Sequence, residues 1–412
     1  MKLVSVKTDI VAVPPPHIGG MYWIFVTLRT DDGIEGVGEV YAATFHPKVM
    51  VPAIQDVFDR LLDGEDPHHV EKFFRRAYSS GFTQRPDLTM MGIVSGLEMA
   101  CWDIIGKAAG KPVYELIGGR VHEKLRSYSY LYPKNARGEH DYSNIELSVD
   151  CALEYMEQGF TALKFDPAGP YTVMGGHQLS LEDMDRSETF CRRIREAVGN
   201  RCDLLFGTHG QMTVSGAIRL ARRLEQYDPL WFEEPVPPGQ SEAMGRVAGQ
   251  TTIPIAAGER LTTKYEFHDL LRNNGASILQ MNLGRVGGIL EGKKVAALAE
   301  VHYAQIAPHL YNGPVGAAAS VQLATATPNF LVQESIRRWD GFHAEVLEEG
   351  LTWSDGWIIP SEKPGLGITL NREVIEAHSP YSDKRLHLSM WETPHDFKAQ
   401  SDTSWKEPPA KA

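Results

Sequence analysis

The sequence predicts an α/β protein, a TIM-like (β/α)7-8 barrel preceded by a separate α+β unit. Three observations carry this. Between Lys164 and Glu334, short apolar runs end one after another on polar residues: ALKFD on Lys164 and Asp166, LLFGTH on Gly207 and His209, LWFEEP on Glu233, PIAAGE on Glu259, ILQMN on Asn282, QIAPH on His309 and FLVQE on Glu334. A helix-like segment follows most of these runs, the alternation of a parallel barrel whose strand ends share one mouth. The first 120 residues read differently, as antiparallel strands and then helices.

Residues 2–13 alternate apolar and polar, as a half-buried strand does. PPPHIGG at 14–20 is a Pro/Gly-rich loop. MYWIFVTLRT and IEGVGEV form a hairpin across Asp32-Gly33, a pair suited to the positive φ angles of a tight turn. Helices follow at 47–60, 67–78 and 92–110, the last apolar at helical spacing and rich in small residues. After GGR at 118–120, strands fall near 125–131, 161–166, 203–208, 229–233, 254–257, 277–281, 304–308 and 330–334. Helices fall near 146–158, 182–197, 213–226, 239–249, 262–273, 287–302 and 314–326. No GxGxxG opens a helix after the first strand, so a dinucleotide site has no support. The insertion PAGPYTVMGGHQLS at 167–180 follows the second barrel strand, where a long loop is usually functional. The tail from 391 is polar, and its last ten or so residues are expected to be mobile.

At 412 residues, 42% apolar and 23% charged, the composition is that of an ordinary globular chain with two domains or a barrel plus an accessory domain. The net charge of −12, without a basic run, argues against nucleic acid and anionic membranes as partners. Cys101, Cys151, Cys191 and Cys202 form no CxxC pair; Cys101 and Cys151 sit in apolar helical patterns and read as buried thiols, and a reducing, cytoplasmic compartment is expected. The N-terminus lacks a signal-peptide layout, and no transmembrane helix is expected.

Strand alternation sorts the polar residues. Lys164 and Asp166 lie two apart and face one side, as do Gly207 and His209, whereas Glu233 and Glu234 must point apart. Lys, Asp, Glu and His do not sit on an inward strand face without partners. The carboxylates suit a hard divalent cation such as Mg2+. Lys164, His209 and His309 are bases around it, and a cation flanked by bases suits removal of the proton next to a substrate carboxylate. His17, His68 and His177 read as ordinary structural histidines.

From about residue 2 to 385, the chain resembles the enolase superfamily, within it the mandelate racemase-like acid-sugar dehydratases. DDGIEGVGE, GLEMACWDIIGKAAGKPVYELIGG, WFEEPVPP, PIAAGER, LQMNLGRVGGILE, APH and KPGLGI carry the resemblance in the family's order. It implies a capping domain at 1–122, a catalytic barrel at 123–375 and a C-terminal segment at 376–412 that returns to the cap. It implies Glu233 and Glu259 as magnesium ligands, His309 as the base for the α-proton, His209 as the general acid for the leaving hydroxyl, Glu334 as the carboxyl group that bonds the substrate carboxylate, and Lys164 as the first position of the second-strand lysine motif. Trp23 and His46 lie in cap loops that contact substrate in the family. Tyr171 of the insertion and Arg260 beside Glu259 complete the expected substrate contacts. A homo-oligomer, dimer or octamer, is expected on the same ground.

The sequence departs from the family at three positions. Gly207 stands where the first carboxylate ligand belongs, Asn282 where the aspartate partner of His309 belongs, and Asp166 where a second lysine belongs. Asp166 is therefore a candidate for the missing metal ligand, directly or through water; the opposing reading is that it merely pairs with Lys164 or an arginine. The resulting expectation is Mg2+-dependent dehydration of an aldonate- or aldarate-type sugar acid, a lyase reaction. The alternatives are an epimerase or cycloisomerase of a related acid, or a catalytically impaired barrel with a binding or regulatory role.

Overall fold

The structure, a computed structural model, describes residues 1–41, 44–168, 172 and 175–388. Its N-terminal part is an antiparallel sheet of β1 (Leu3–Ala12), β2 (Tyr22–Thr30) and β3 (Glu35–Glu39). The turn between β2 and β3 places Gly33 at φ 89°, the left-handed region that the Asp-Gly pair predicts. Helices Pro47–Leu61, Val70–Tyr78 and Leu88–Ala109 pack on this sheet. Helix Leu88–Ala109 starts where Asp87 accepts a hydrogen bond from Met90 N and stops at left-handed Gly110. It is long and apolar enough to cross a membrane, but 78% of its most apolar window is buried inside the protein, so it serves here as a core helix.

Eight parallel strands follow: β4 (Leu125–Tyr130), β5 (Ala162–Phe165), β6 (Asp203–Phe206), β7 (Trp231–Glu233), β8 (Ile255–Ala257), β9 (Ile278–Leu279), β10 (Gln305–Ile306) and β11 (Gln333–Ser335). They pair in chain order from β4 to β10. β11 pairs in parallel with β4, and a parallel bridge from Ile306 to Phe330 closes the ring. The barrel is thus complete, with seven helices of eight residues or more between successive strands near the positions the sequence predicts. The four cysteines are free and buried.

The barrel interior explains how the mouth is built. One apolar cluster takes a residue from every strand or its immediate flank: Tyr128, Ala162, Leu205, Trp231, Ala256, Ile278, Ala307 and Val332. Side chains in an extended strand repeat every two residues, so inward residues stack in layers. Two positions further along each strand stand Tyr130, Lys164, Gly207, Glu233, Gly258, Gln280, His309 and Glu334. The apolar layer is therefore a floor, and the next layer up is the chemistry.

The N-terminal part docks on the barrel through buried carboxylates that meet helix starts. Glu98 accepts from Ile289 N and Leu290 N at 2.7 and 2.9 Å, at the start of helix Ile289–Val301. Glu39 accepts from Gly313 N and Gly316 N at 2.5 and 2.8 Å, at the start of helix Pro314–Thr325. Unpaired N–H groups and the helix dipole make such ends favourable for carboxylates. Residues 378–387 return to the sheet: Ala12 N donates to His378 O, Tyr381 N to Ile10 O, and the His387 ring sits between Tyr22 O and Tyr311 O.

Burial outweighs these hydrogen bonds and pushes the Glu39 and Glu98 carboxyls up to about 7. A carboxyl raised in the folded state stabilises fully below its ordinary value of 4.5, and that contribution fades as pH rises through about 7. Glu98→Gln is therefore expected to flatten the fall in thermal stability between those pH values. Melting curves of the two proteins across that window test it, and parallel slopes would rule out a docking role for the Glu98 proton.

Candidate active site

At the centre of the mouth, the Lys164 ammonium lies 2.6 Å from Glu233 Oε1 and 3.8 Å from Glu334 Oε1, with all three side chains almost fully buried. Burial alone would lower the lysine pKa, but Glu233, Glu334 and Glu259 around it hold it well above its ordinary value. The second oxygen of Glu233 accepts from Trp231 Nε1 at 3.0 Å and Gln280 Nε2 at 2.8 Å. Neither partner was anticipated from the sequence, although alternation along WFE and QMN puts both on the inward face.

Glu259 lies one residue out of the inward register. Gly258, at φ 132°, turns the backbone there, and a Cβ on it would press into the Phe267 ring at 2.5 Å. Glu259 Oε2 is buried, makes no hydrogen bond, and stands 3.3 Å from His309 Nε2. Burial would raise the Glu259 carboxyl, yet His309, His209, Lys164 and Arg260 hold it well below its ordinary range. One ring nitrogen of His209 and one oxygen each of Glu233 and Glu259 lie within 4.8 Å of one another. A carboxylate held anionic, with an oxygen that makes no hydrogen bond, grouped with a second carboxylate and an imidazole, fits a divalent cation.

Asp166 is not in that group. Its Oδ2 lies 2.6 Å from His209 Nδ1, so it stands behind the histidine as its partner and not as an ion ligand in this arrangement. The sequence expectation makes Asp166 a metal ligand; in this structure it lies outside the His209, Glu233 and Glu259 group, and its Oδ2 pairs with the His209 imidazole. Gly207 makes the pairing possible. A Cβ there would lie 3.4 Å from Asp166 Cβ and Lys164 Cε and 3.5 Å from Asp166 Oδ2, so a larger acid at 207 would press its charge against Asp166. His209 sits at φ 49° in the turn after β6 with its side chain 25% exposed. Asp166 and Glu259 hold its pKa above the ordinary value against the effect of burial.

His309 is arranged the opposite way. Asn282 Oδ1 is occupied by the N–H of Gly284 at 2.8 Å, which turns its amide NH2 toward His309 Nδ1 at 3.0 Å. Nδ1 therefore accepts, and the proton of the neutral ring sits on Nε2, facing Glu259. An aspartate at 282 would accept a hydrogen bond from His309; with Asn282 the backbone donor at 284 reverses that direction. Burial, with Lys164, Arg285 and His209 nearby, pushes the His309 pKa down to about 3 despite Glu259. Glu334 accepts from Leu310 N at 2.7 Å, and burial pushes its carboxyl up to about 7.

Trp23, His46 and Arg260, also expected to contact substrate, are engaged by other partners. Trp23 is 1% exposed, gives its indole N–H to Gly19 O and packs on Phe342 and His343, which leaves no free face for a ligand. His46 bonds Asp383 O and caps helix Pro47–Leu61. Arg260 is paired with buried Glu234, whose carboxylate points away from Glu233 as alternation requires. Tyr171 lies outside the described residues. The described parts of the insertion pack over the turn that carries His209: Thr172 N donates to Gln211 Oε1, and His177 bridges to Met212.

Fold and cluster together define an enzyme of the capped β/α-barrel class. Residues 15–118 match the family model for the mandelate racemase/muconate lactonizing enzyme N-terminal domain, and residues 148–374 match that for the enolase C-terminal domain-like fold. The chain belongs to the mandelate racemase/muconate lactonizing enzyme family of the enolase superfamily. It is 33% identical over 383 residues to a D-xylonate dehydratase of Haloferax volcanii, covering 90% of this chain and 89% of that one. It is 33% identical over 362 residues to a D-galactonate dehydratase of Pectobacterium atrosepticum, covering 86% and 90%. A crystal structure from Burkholderia SAR-1, described as a mandelate racemase/muconate lactonizing enzyme, superposes with a TM-score of 0.96 at 72% identity, covering 97% and 99%.

Proposed function

We propose that the protein is a lyase that dehydrates a sugar acid of the aldonate or aldarate type, with a divalent cation held by Glu233 and Glu259. The observation that carries this is the convergence of those carboxylates with the Lys164 ammonium and two histidines at the barrel mouth. Relatives named as xylonate and galactonate dehydratases support the substrate class. A bound cation would supply the charge that makes the α-proton of a carboxylate removable; magnesium is the ion the family resemblance implies. Lys164 adds a fixed positive charge for the substrate carboxylate. Glu334, titrating near 7, can donate a proton to one of its oxygens. β6 and β10 are four strands apart in a ring of eight, so His209 and His309 approach from opposite sides. That arrangement supports a division of labour in which one group takes the α-proton and the other assists departure of the β-hydroxyl.

The test is a screen of acid sugars with added divalent ions for a 2-keto-3-deoxy product, where turnover of none would defeat the proposal. Glu259→Gln is expected to abolish turnover and metal-induced stabilisation. At an ion concentration of 100 times Kd the intact protein gains about 2.7 kcal/mol. An equal gain in the variant would remove Glu259 from the ion site.

A further inference from the structure

The three departures from the family pattern, Gly207, Asn282 and Asp166, meet at the two histidines. At His209 the partner is a carboxylate, which only accepts, so Nδ1 of the neutral ring carries the proton. Nε2 then keeps its lone pair and is the nitrogen left to face Glu233 and Glu259. The Asp166 side chain is fully buried, so its charge lies close behind any proton that His209 takes up, while the quarter-exposed His209 ring is reachable from the mouth. At His309 the partner is an amide whose oxygen is already taken by Gly284 N, so the ring turns an N–H toward the site. Gly207 leaves the space in which Asp166 reaches His209 without a second carboxylate beside it.

We propose that, in the dehydration inferred above and resting on that reading, His209 takes the α-proton, with Asp166 as its positioning residue, and His309 donates its Nε2–H to the departing hydroxyl. This reverses the roles that the family resemblance implies for the two histidines. In the first step the Cα–H bond breaks, its proton passes to His209 Nε2 and its electron pair moves onto the carboxylate. The imidazolium formed is stabilised by Asp166, as an aspartate behind histidine does in the serine-protease triad. In the second step the bond from the β-carbon to its hydroxyl breaks, and the hydroxyl leaves as water with the proton from His309 Nε2. The electron pair returns to form the enol, which tautomerises to the 2-keto acid. Solvent restores the His309 proton and removes the one on His209. A neutral histidine acting as a donor has a parallel in triosephosphate isomerase.

The first test needs no substrate. The magnesium-loaded full chain, labelled with 15N-histidine and held at about pH 8, is read by NMR, with the two ring signals assigned through His209→Asn and His309→Asn. Asparagine tolerates the positive φ of His209, so that variant keeps its backbone. The expected result is a proton on Nδ1 of His209 and on Nε2 of His309, with Asp166→Asn shifting the His209 signals alone. A proton on Nδ1 of His309 overturns the proposal, whether or not an acid sugar is ever turned over. The second test follows α-hydrogen exchange in deuterium oxide with a sugar acid that the wild type dehydrates. His309→Asn should retain exchange while dehydration falls about 100-fold or more, and His209→Asn should lose both. The reverse pattern overturns the assignment. Calorimetric titration with Mn2+ separates the other role open to His209. Unchanged affinity in His209→Asn supports the proposal, and a fall of about tenfold or more would make His209 an ion ligand instead.

Discussion

Lys164→Met is expected to lose essentially all turnover and about 3–5 kcal/mol of stability. The ammonium lies in the layer that holds buried Glu233 and Glu334, 2.6 Å from the first and 3.8 Å from the second. Methionine matches its length and leaves Glu233 Oε1 facing a thioether. Breaking a buried pair by removing one partner is costly because the other charge stays desolvated. A divalent cation at Glu233 and Glu259 would supply part of the missing charge, so the variant should gain more stability from added metal than the wild type does. Loss of a fixed positive charge near a developing anion typically lowers kcat by about 10²–10³. Urea unfolding with and without metal, alongside turnover, measures all three effects. A variant as stable as the wild type would mean that the carboxylates of this layer are held neutral.

Asn282→Asp is the second large expectation. One oxygen of the new carboxylate can still accept from Gly284 N, and the other faces His309 Nδ1. That contact requires the proton on Nδ1, so the neutral ring would turn a lone pair toward the site in place of its N–H. The added negative charge should also raise the His309 pKa from its depressed value of about 3. Below the new pKa the ring is an imidazolium and still donates. Above it the donor is gone, and turnover should fall by about 10² or more at about pH 8. Histidine NMR and a pH–rate profile read the two parts separately. Unchanged His309 signals would show that residue 282 does not set the tautomer.

Much of the fold was legible because its signals are local. The apolar runs of four to six residues, the helical segments between them and the Asp-Gly turn all depend on periodicity and on backbone preferences that neighbours along the chain decide. The chemistry layer was partly legible for the same reason. Lys164, Glu233, His309 and Glu334 each lie two residues beyond an interior floor residue, a relation that holds along an extended strand wherever it sits. Trp231 and Gln280 followed the same alternation and were overlooked because neither is titratable. Glu259 lies off that register and was found through its motif, not through its period.

What the sequence by itself determined is the capped barrel, the strand ends that carry the polar residues, and the three positions at which those residues depart from the family. Only the tertiary structure decided what the departures do. Hydrogen bonds have a direction, and that direction depends on partners far apart in the chain: Asp166 meets His209 across two strands, and a backbone N–H at 284 turns the Asn282 amide toward His309. The same applies to Trp23, expected in a substrate-contacting loop of the cap: it lies in β2 and is enclosed because residues 342 and 343 come to lie against it. Burial and hydrogen-bond polarity arise when distant segments pack, so no local pattern encodes them.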